Sequence, residues 1–329
     1  MRYGDGIDWE SWFPIMPRGM LLPLGFLLSA LSLAQQLPIR TYTVADGLAE
    51  GRVNRIVADS RGYVWIATSG GLSRFDGYRM KTYGVEDGLP HWAVHTILET
   101  HSGAYLIGCQ KGLCRLENRG KRAFTPYPLE NQASSIEALL MEPDGRILVG
   151  TSTGLFETNG GLSFRRLPVN EIVGTQVVAL ARDHEGNVWI SSERALGILG
   201  SEGDLAIFDR RALPGRAEAM VEQPPGRMWV MTTVGLVLFT RPDGGKWRLD
   251  RIFTTADGLA GGDLLAIETD SAGRLWLGTS DGISRFDPRS PLPPHFENFG
   301  RAQGLSGRRI TALARTPLAI CGPESKTRE

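Results

Sequence analysis

The stretch Ser60–Asp76, SRGYVWIATSGGLSRFD, returns far along the chain as Ser271–Asp287, SAGRLWLGTSDGISRFD. Between the two copies the same register runs without a break. A turn glycine recurs at Gly62, Gly103, Gly145, Gly186, Gly226 and Gly273, at intervals of 41, 42, 41, 40 and 47 residues. Three residues after each stands a large apolar residue (Trp65, Leu106, Leu148, Trp189, Trp229, Trp276), and six after it a small one (Thr68, Cys109, Thr151, Ser192, Thr232, Thr279). A Gly-Leu-like pair follows, as at Gly71-Leu72 and Gly282-Ile283, and an apolar segment begins nine residues upstream, at Val53, Val94, Ile136, Val177, Ala217 and Leu264. Repeats of this length are units that bury their faces only by stacking on one another.

Each unit reads as four short strands. In the first they are Val53–Ala58, Tyr63–Thr68, Leu72–Asp76 and Arg79–Tyr83, separated by Asp-Ser-Arg-Gly, Ser-Gly-Gly and Asp-Gly turns. The second strand is apolar with little alternation, the mark of burial on both faces. This predicts an all-β chain, a β-propeller of four-stranded blades with six complete blades and a partial seventh. The units run near 53–93, 94–135, 136–176, 177–216, 217–263 and 264–309, with 310–314 opening the seventh, inside a propeller spanning 35–314.

A second register bears on closure. Asp-Gly-Leu occurs at Asp46-Gly47-Leu48, Asp87-Gly88-Leu89 and Asp257-Gly258-Leu259, with Gln303-Gly304-Leu305 as a variant. An aromatic precedes each glycine by five residues: Tyr42, Tyr83, Phe253 and Phe299. The last three fall on fourth strands, so Ile39–Thr43 is expected to be a fourth strand as well, belonging to blade seven. Ile310–Ala314 supplies its first strand, and the pattern then stops. Residues 315–329, with Pro317 and Pro323, read as an aberrant, disordered tail left by a frameshift or premature stop. An open ring with loose edges is the consequence, and such edges favour aggregation.

Composition narrows the function classes. Lys plus Arg and Asp plus Glu both number 36, for zero net charge, which disfavours a nucleic-acid partner. Three Cys rule out a disulfide-built scaffold or a four-thiolate zinc site. The segment Met20–Ala34, MLLPLGFLLSALSLA, follows Arg18 and ends small-x-small. It reads as the core of a signal peptide, 1–34, with Met16 a cleaner start than Met1 and no membrane span once it is removed. The expected location is therefore periplasmic or otherwise extracytoplasmic.

The unit, [VI]-x-x-[IL]-x-x-D-x-x-G-x-[LV]-W-[IL]-[GA]-T-x-x-G-[LI]-x-x-F-D, resembles the two-component regulator propeller repeat over about Ile39–Leu313. The resemblance implies an extracytoplasmic ligand-sensing module of a signalling receptor, acting with a membrane signalling partner. Related receptors carry one or two propellers, an immunoglobulin-like module, a membrane helix and a kinase or cyclase; no second propeller, membrane helix after Glu329 or kinase is read in this sequence. Two other readings remain open: a secreted propeller enzyme of the metal-dependent lyase type, for which His91 or His95 would serve, and a protein-binding scaffold.

No catalytic motif stands in a suitable context. The five His are scattered, with no His-Glu-x-x-His and no Cys-x-x-Cys, so neither an enzyme activity, a metal nor a cofactor is expected. The recurrent Asp59, Asp183 and Asp270 read as turn formers, and Trp65, Trp189, Trp229 and Trp276 as packing between blades. Cys109 and Cys114 flank one tight turn, either as a disulfide or as two small strand residues. Residues that break the columns on the loops joining fourth to first and second to third strands are free to meet a small molecule or glycan. These are Arg52, His91, Trp92, Lys111, Glu193, Arg194 and Asp281.

Overall fold

The computed structural model describes residues 39–117, 123–127, 134–158, 163–169, 176–201, 203–305, 307–316 and 320–321. The expected signal segment 1–34 and most of the expected tail 315–329 lie outside them. Within them are six antiparallel sheets of four strands, each paired in chain order. Blade one is Val53–Ala58, Val64–Thr68, Gly71–Phe75 and Met80–Tyr83, within a residue or so of the strands read from the sequence. The first strands of blades two to six are Val94–Glu99, Ile136–Met141, Val177–Arg182, Ala217–Glu222 and Leu264–Thr269. Successive first strands touch around a circle, and Ala314–Arg315 touches the first strands of both blade six and blade one. The protein is an all-β six-bladed propeller with one extra inner strand in the seventh place.

The repeated residues have specific tasks. All six column glycines hold positive φ, between +75° and +93°, where a side chain would be strained. The aspartate ahead of them does more than form a turn. One Asp59 oxygen accepts the backbone N–H groups of Arg61 and Tyr63; the other accepts the Trp65 indole N–H at 2.8 Å and the Tyr105 hydroxyl of blade two at 2.6 Å. Asp183 and Asp270 do the same for Trp189 and Trp276. A buried indole N–H needs an acceptor, so the aspartate and the tryptophan six residues later belong together. The small residue six after the glycine closes the next turn. Thr68 donates its hydroxyl to Gly71 O at 2.8 Å, as do Thr151, Ser192, Thr232 and Thr279 to the matching carbonyls.

Trp65, Trp189 and Trp229 are fully buried and pack on aromatic neighbours. Trp65 meets Tyr105 of blade two, Trp189 meets Phe239 of blade five, and Trp229 meets Phe286 of blade six. Cys109 occupies the threonine column of blade two without a hydroxyl. Both Cys109 and Cys114 are buried free thiols, and burial followed by the neighbouring Cys109 raises the Cys114 thiol. In the ladder Cys109 faces Gly112 and Cys114 faces Ile107, so the two lie two pairs out of register.

Three expectations about closure are corrected. Ile39–Thr43 is not a strand, since no third strand lies beside it to accept a ladder. Of Ile310–Ala314 only Ala314 is in a strand; Ala314–Arg315 pairs with Ile320–Cys321, so the start of a second strand is present in the segment expected to run free. The seam between blades six and one is also not an apolar gap. Ile310, Ala312, Leu313 and Ala314 are buried, with Ile310 at 0% exposure, and they fill the inner part of the seam. Farther out, Ile39 packs against the same cluster as Trp276 and Phe299 of blade six, while the Tyr42 ring lies 4.7 Å from Phe75 of blade one.

Candidate functional site

Column-breaking residues matter here because the fold gathers them. In every blade the residue just before the first strand accepts, through its carbonyl, the N–H that opens the turn between second and third strands. Ser69 donates to Arg52, Gln110 to Ala93, Ser152 to Ser135, Glu193 to Gln176, Thr233 to Arg216 and Ser280 to Asp263. This bond brings both sets of loops to one end of the ring, so Arg52, Ala93, Ser135, Gln176, Arg216, Asp263 and Arg309 surround the channel mouth.

At blade two the His91 ring is buried, and its Nδ1 accepts the Ala93 N–H at 3.1 Å. Burial, then the charge of Lys111 and of His95, lowers the imidazole below its ordinary pKa, so His91 is held neutral. Trp92, 59% exposed, lies with its ring centroid 4.3 Å from that of His91. His91, Trp92 and Lys111 thus form one group with His95. Arg194 and Glu193 sit on the blade-four turn, where the Arg194 N–H donates to Ser192 Oγ at 3.2 Å. Asp281 pairs loosely with Arg308, at 3.6 Å. Arg52 stands at the same end of blade one, where its carbonyl accepts the Ser69 N–H.

A second tier, on and beside the first strands, escaped the sequence reading. His95 Nδ1 is 3.2 Å from Ser135 Oγ and 3.3 Å from Glu137 Oε2. Burial pushes the Glu137 carboxyl up, but the hydrogen bonds from His95 and Ser135 outweigh it and leave its pKa lowered. Arg216 grips Glu218 through Nε at 2.8 Å and Nη2 at 2.7 Å. Between blades five and six a cavity of about 420 Å³ is lined by Glu218, Met231, Thr233, Asp263, Leu265 and Arg309, among others. The Arg55 guanidinium and the Glu268 carboxyl act on each other across the inner strands of blades one and six, and burial raises the Glu268 pKa. One signal could have found this tier. The second residue of the first strand reads Asn54, His95, Glu137, Val178, Glu218 and Leu265, a column with no single character in an otherwise regular repeat. Among the described residues no three His, Cys, Asp or Glu side chains converge as metal ligands.

The arrangement brings acidic and basic groups together with one exposed aromatic ring, Trp92. A comparison with curated proteins finds no match. Among solved structures, the chain is similar to the extracellular domain of a putative hybrid two-component system from B. thetaiotaomicron. That match has a TM-score of 0.72 at 20% identity over 84% of this chain, and this chain spans 38% of that one. It is also similar to a catalytically inactive virginiamycin B lyase from Staphylococcus aureus, with TM-score 0.65, 15% identity, 83% of this chain and 92% of that one. A third likeness is to PorZ of the type-IX secretion system of Porphyromonas gingivalis, with TM-score 0.64, 14% identity, 84% of this chain and 45% of that one. At these identities the likenesses establish the fold. Residues 47–70 and 171–194 match the two-component regulator propeller family, and the repeat register seen in those two segments runs between them.

Proposed function

We propose that the chain is the ligand-sensing module of an extracytoplasmic receptor of two-component type, binding a small polar molecule or glycan at the channel mouth and acting on a membrane signalling partner. One observation carries this reading. In a repeat whose structural columns are kept from blade to blade, the residues that depart from the pattern collect on one end of the ring, and they are charged, imidazole or indole groups. Polar groups around a concavity with an aromatic face suit reversible recognition of a solute. The match to repeats of this family, and the likeness to an extracellular domain of a two-component system, support export and a sensory role. We read the module as a binder and not as an enzyme.

The test is calorimetric titration of the purified chain with a panel of oligosaccharides and small polar metabolites. A ligand of this face loses affinity at least about tenfold when Trp92→Ala and Arg194→Ala are combined, while the fold is retained. Unchanged affinity for a ligand that does bind would place recognition elsewhere.

A lyase-type enzyme is the second reading, favoured by the paired histidines His91 and His95 at the mouth of a ring similar to a lyase over most of that protein's length. Metal-stimulated turnover abolished by His91→Ala or His95→Ala would select it. No such turnover leaves the sensory reading.

A further inference from the structure

The cavity between blades five and six has a chemistry of its own. Its volume, about 420 Å³, is at the small end of ligand pockets. Two carboxylates, Glu218 and Asp263, face one guanidinium, Arg309, and Met231 and Leu265 supply apolar wall, with the Thr233 hydroxyl at the rim. Glu218 is already gripped by Arg216 through two nitrogens. Asp263 and Arg309 are not so engaged. Their closest approach is 4.0 Å, beyond hydrogen-bond length, and both side chains are more than half exposed.

With Arg216 included, the charges around the cavity cancel. A ligand with net charge would leave one of them uncompensated, whereas a zwitterion matches both ends of the loose pair. An ammonium group set between Asp263 and Glu218, and a carboxylate on Arg309, would replace one 4.0 Å contact by direct charge-assisted hydrogen bonds. The apolar wall takes the remaining part of the molecule. We propose that this cavity binds a free α-amino acid with an aliphatic side chain. The proposal rests on the ligand-sensing reading above and names one ligand class for that face.

The experiment is calorimetric titration of the full chain with leucine, and with two analogues that each lack one charge: isoamylamine, without the carboxylate, and 4-methylpentanoate, without the ammonium. Leucine is expected to bind, and each analogue to bind about tenfold more weakly or less. Asp263→Asn and Arg309→Gln are each expected to weaken leucine by a similar factor. Circular dichroism and thermal melting of each variant confirm that the ring is intact. Absence of leucine binding, or equal binding of the uncharged-end analogues, overturns the amino-acid assignment. The sensory reading is judged separately, by whether any other member of the solute panel binds and responds to the Trp92→Ala/Arg194→Ala pair.

Discussion

The junction between blades five and six and the junction between blades six and one are built on one plan from unequal material. At the first, Trp229 is fully buried, with its ring 4.8 Å from Phe286 and 5.7 Å from Phe253. At the second, the equivalent Trp276 faces the incomplete seventh blade and is only half-buried, covered by Phe299 and the Arg285 guanidinium, which lies 4.9 Å over its ring. Hydrogen bonds nevertheless repeat across both. Ala260 N donates to Ser284 Oγ at 2.9 Å, and Ala49 N donates to Ser73 Oγ at 2.9 Å. Gly258 O accepts from Asn298, and Gly47 O accepts from Thr82. The Asp-Gly-Leu segment of Asp46–Leu48 therefore docks on blade one as Asp257–Leu259 docks on blade six, although no strand leads into it. The lesson is that a local turn and its side-chain contacts can keep a register that the sheet itself has lost.

The largest expected effect breaks the ordinary junction. Trp229→Ala should lower unfolding free energy by about 3–5 kcal/mol, because a fully enclosed indole leaves a cavity its neighbours cannot fill. Trp276→Ala should lower it by roughly 1–2 kcal/mol, since less area is returned to water. Urea titrations of the two variants compare them directly, and equal losses would mean that the seam is as well packed as any other junction.

Next in size is the inner seam. Ile310 is enclosed, its N–H donates to Thr279 O at 3.0 Å, and Thr311 Oγ1 donates to Val53 O at 2.9 Å, tying blade six to blade one. Ile310→Ala should remove about 2–4 kcal/mol. A near-neutral result in the same titration would mean that this segment does not close the ring.

A smaller and sharper comparison sets Ser73→Ala against Ser284→Ala. Each removes one bond to a backbone N–H and should cost about 1 kcal/mol. Matching losses indicate that the N-terminal turn is held as firmly as its counterpart; a clear deficit at Ser73 indicates that it frays.

The smallest effect is a pH dependence at the mouth. His91 has its pKa lowered in the fold from 6.5, by burial and then by Lys111 and His95. The unfolded chain therefore binds more protons than the folded one between those two values, and stability rises with pH through that interval. His91 contributes fully above 6.5, and its contribution declines as the pH falls toward the lower folded value. Melting temperatures of the parent chain and His91→Asn should converge or cross on acidification below 6.5. Parallel curves would mean that His91 titrates normally.

The blades were readable because their determinants are local and repeated. A glycine at positive φ, an aspartate six residues before a tryptophan, and a threonine three residues before the carbonyl it bonds each leave a mark at fixed spacing. The glycine recurs in all six units, the aspartate–tryptophan pair in three, and a threonine in four of the six, enough to fix the register. The channel mouth was only partly readable. Loop residues such as Trp92 and Lys111 stand out as departures from a column, but Glu137, Arg216 and Glu218 lie on or beside first strands, where a charged residue looks like ordinary alternation.

From the sequence alone follow the all-β class, the blade count, the strand order and the end of each blade at which the loops gather. All depend on contacts within one repeat unit. What the tertiary structure decided is how the ring is finished and which charges meet. Arg55 and Glu268 stand far apart in the chain, as do Ile39 and Trp276, and no spacing rule relates either pair. Bending six sheets around a common axis brings the first and last segments to opposite sides of one seam. Whether that seam is covered depends on volumes and contacts that exist only after the ring has formed.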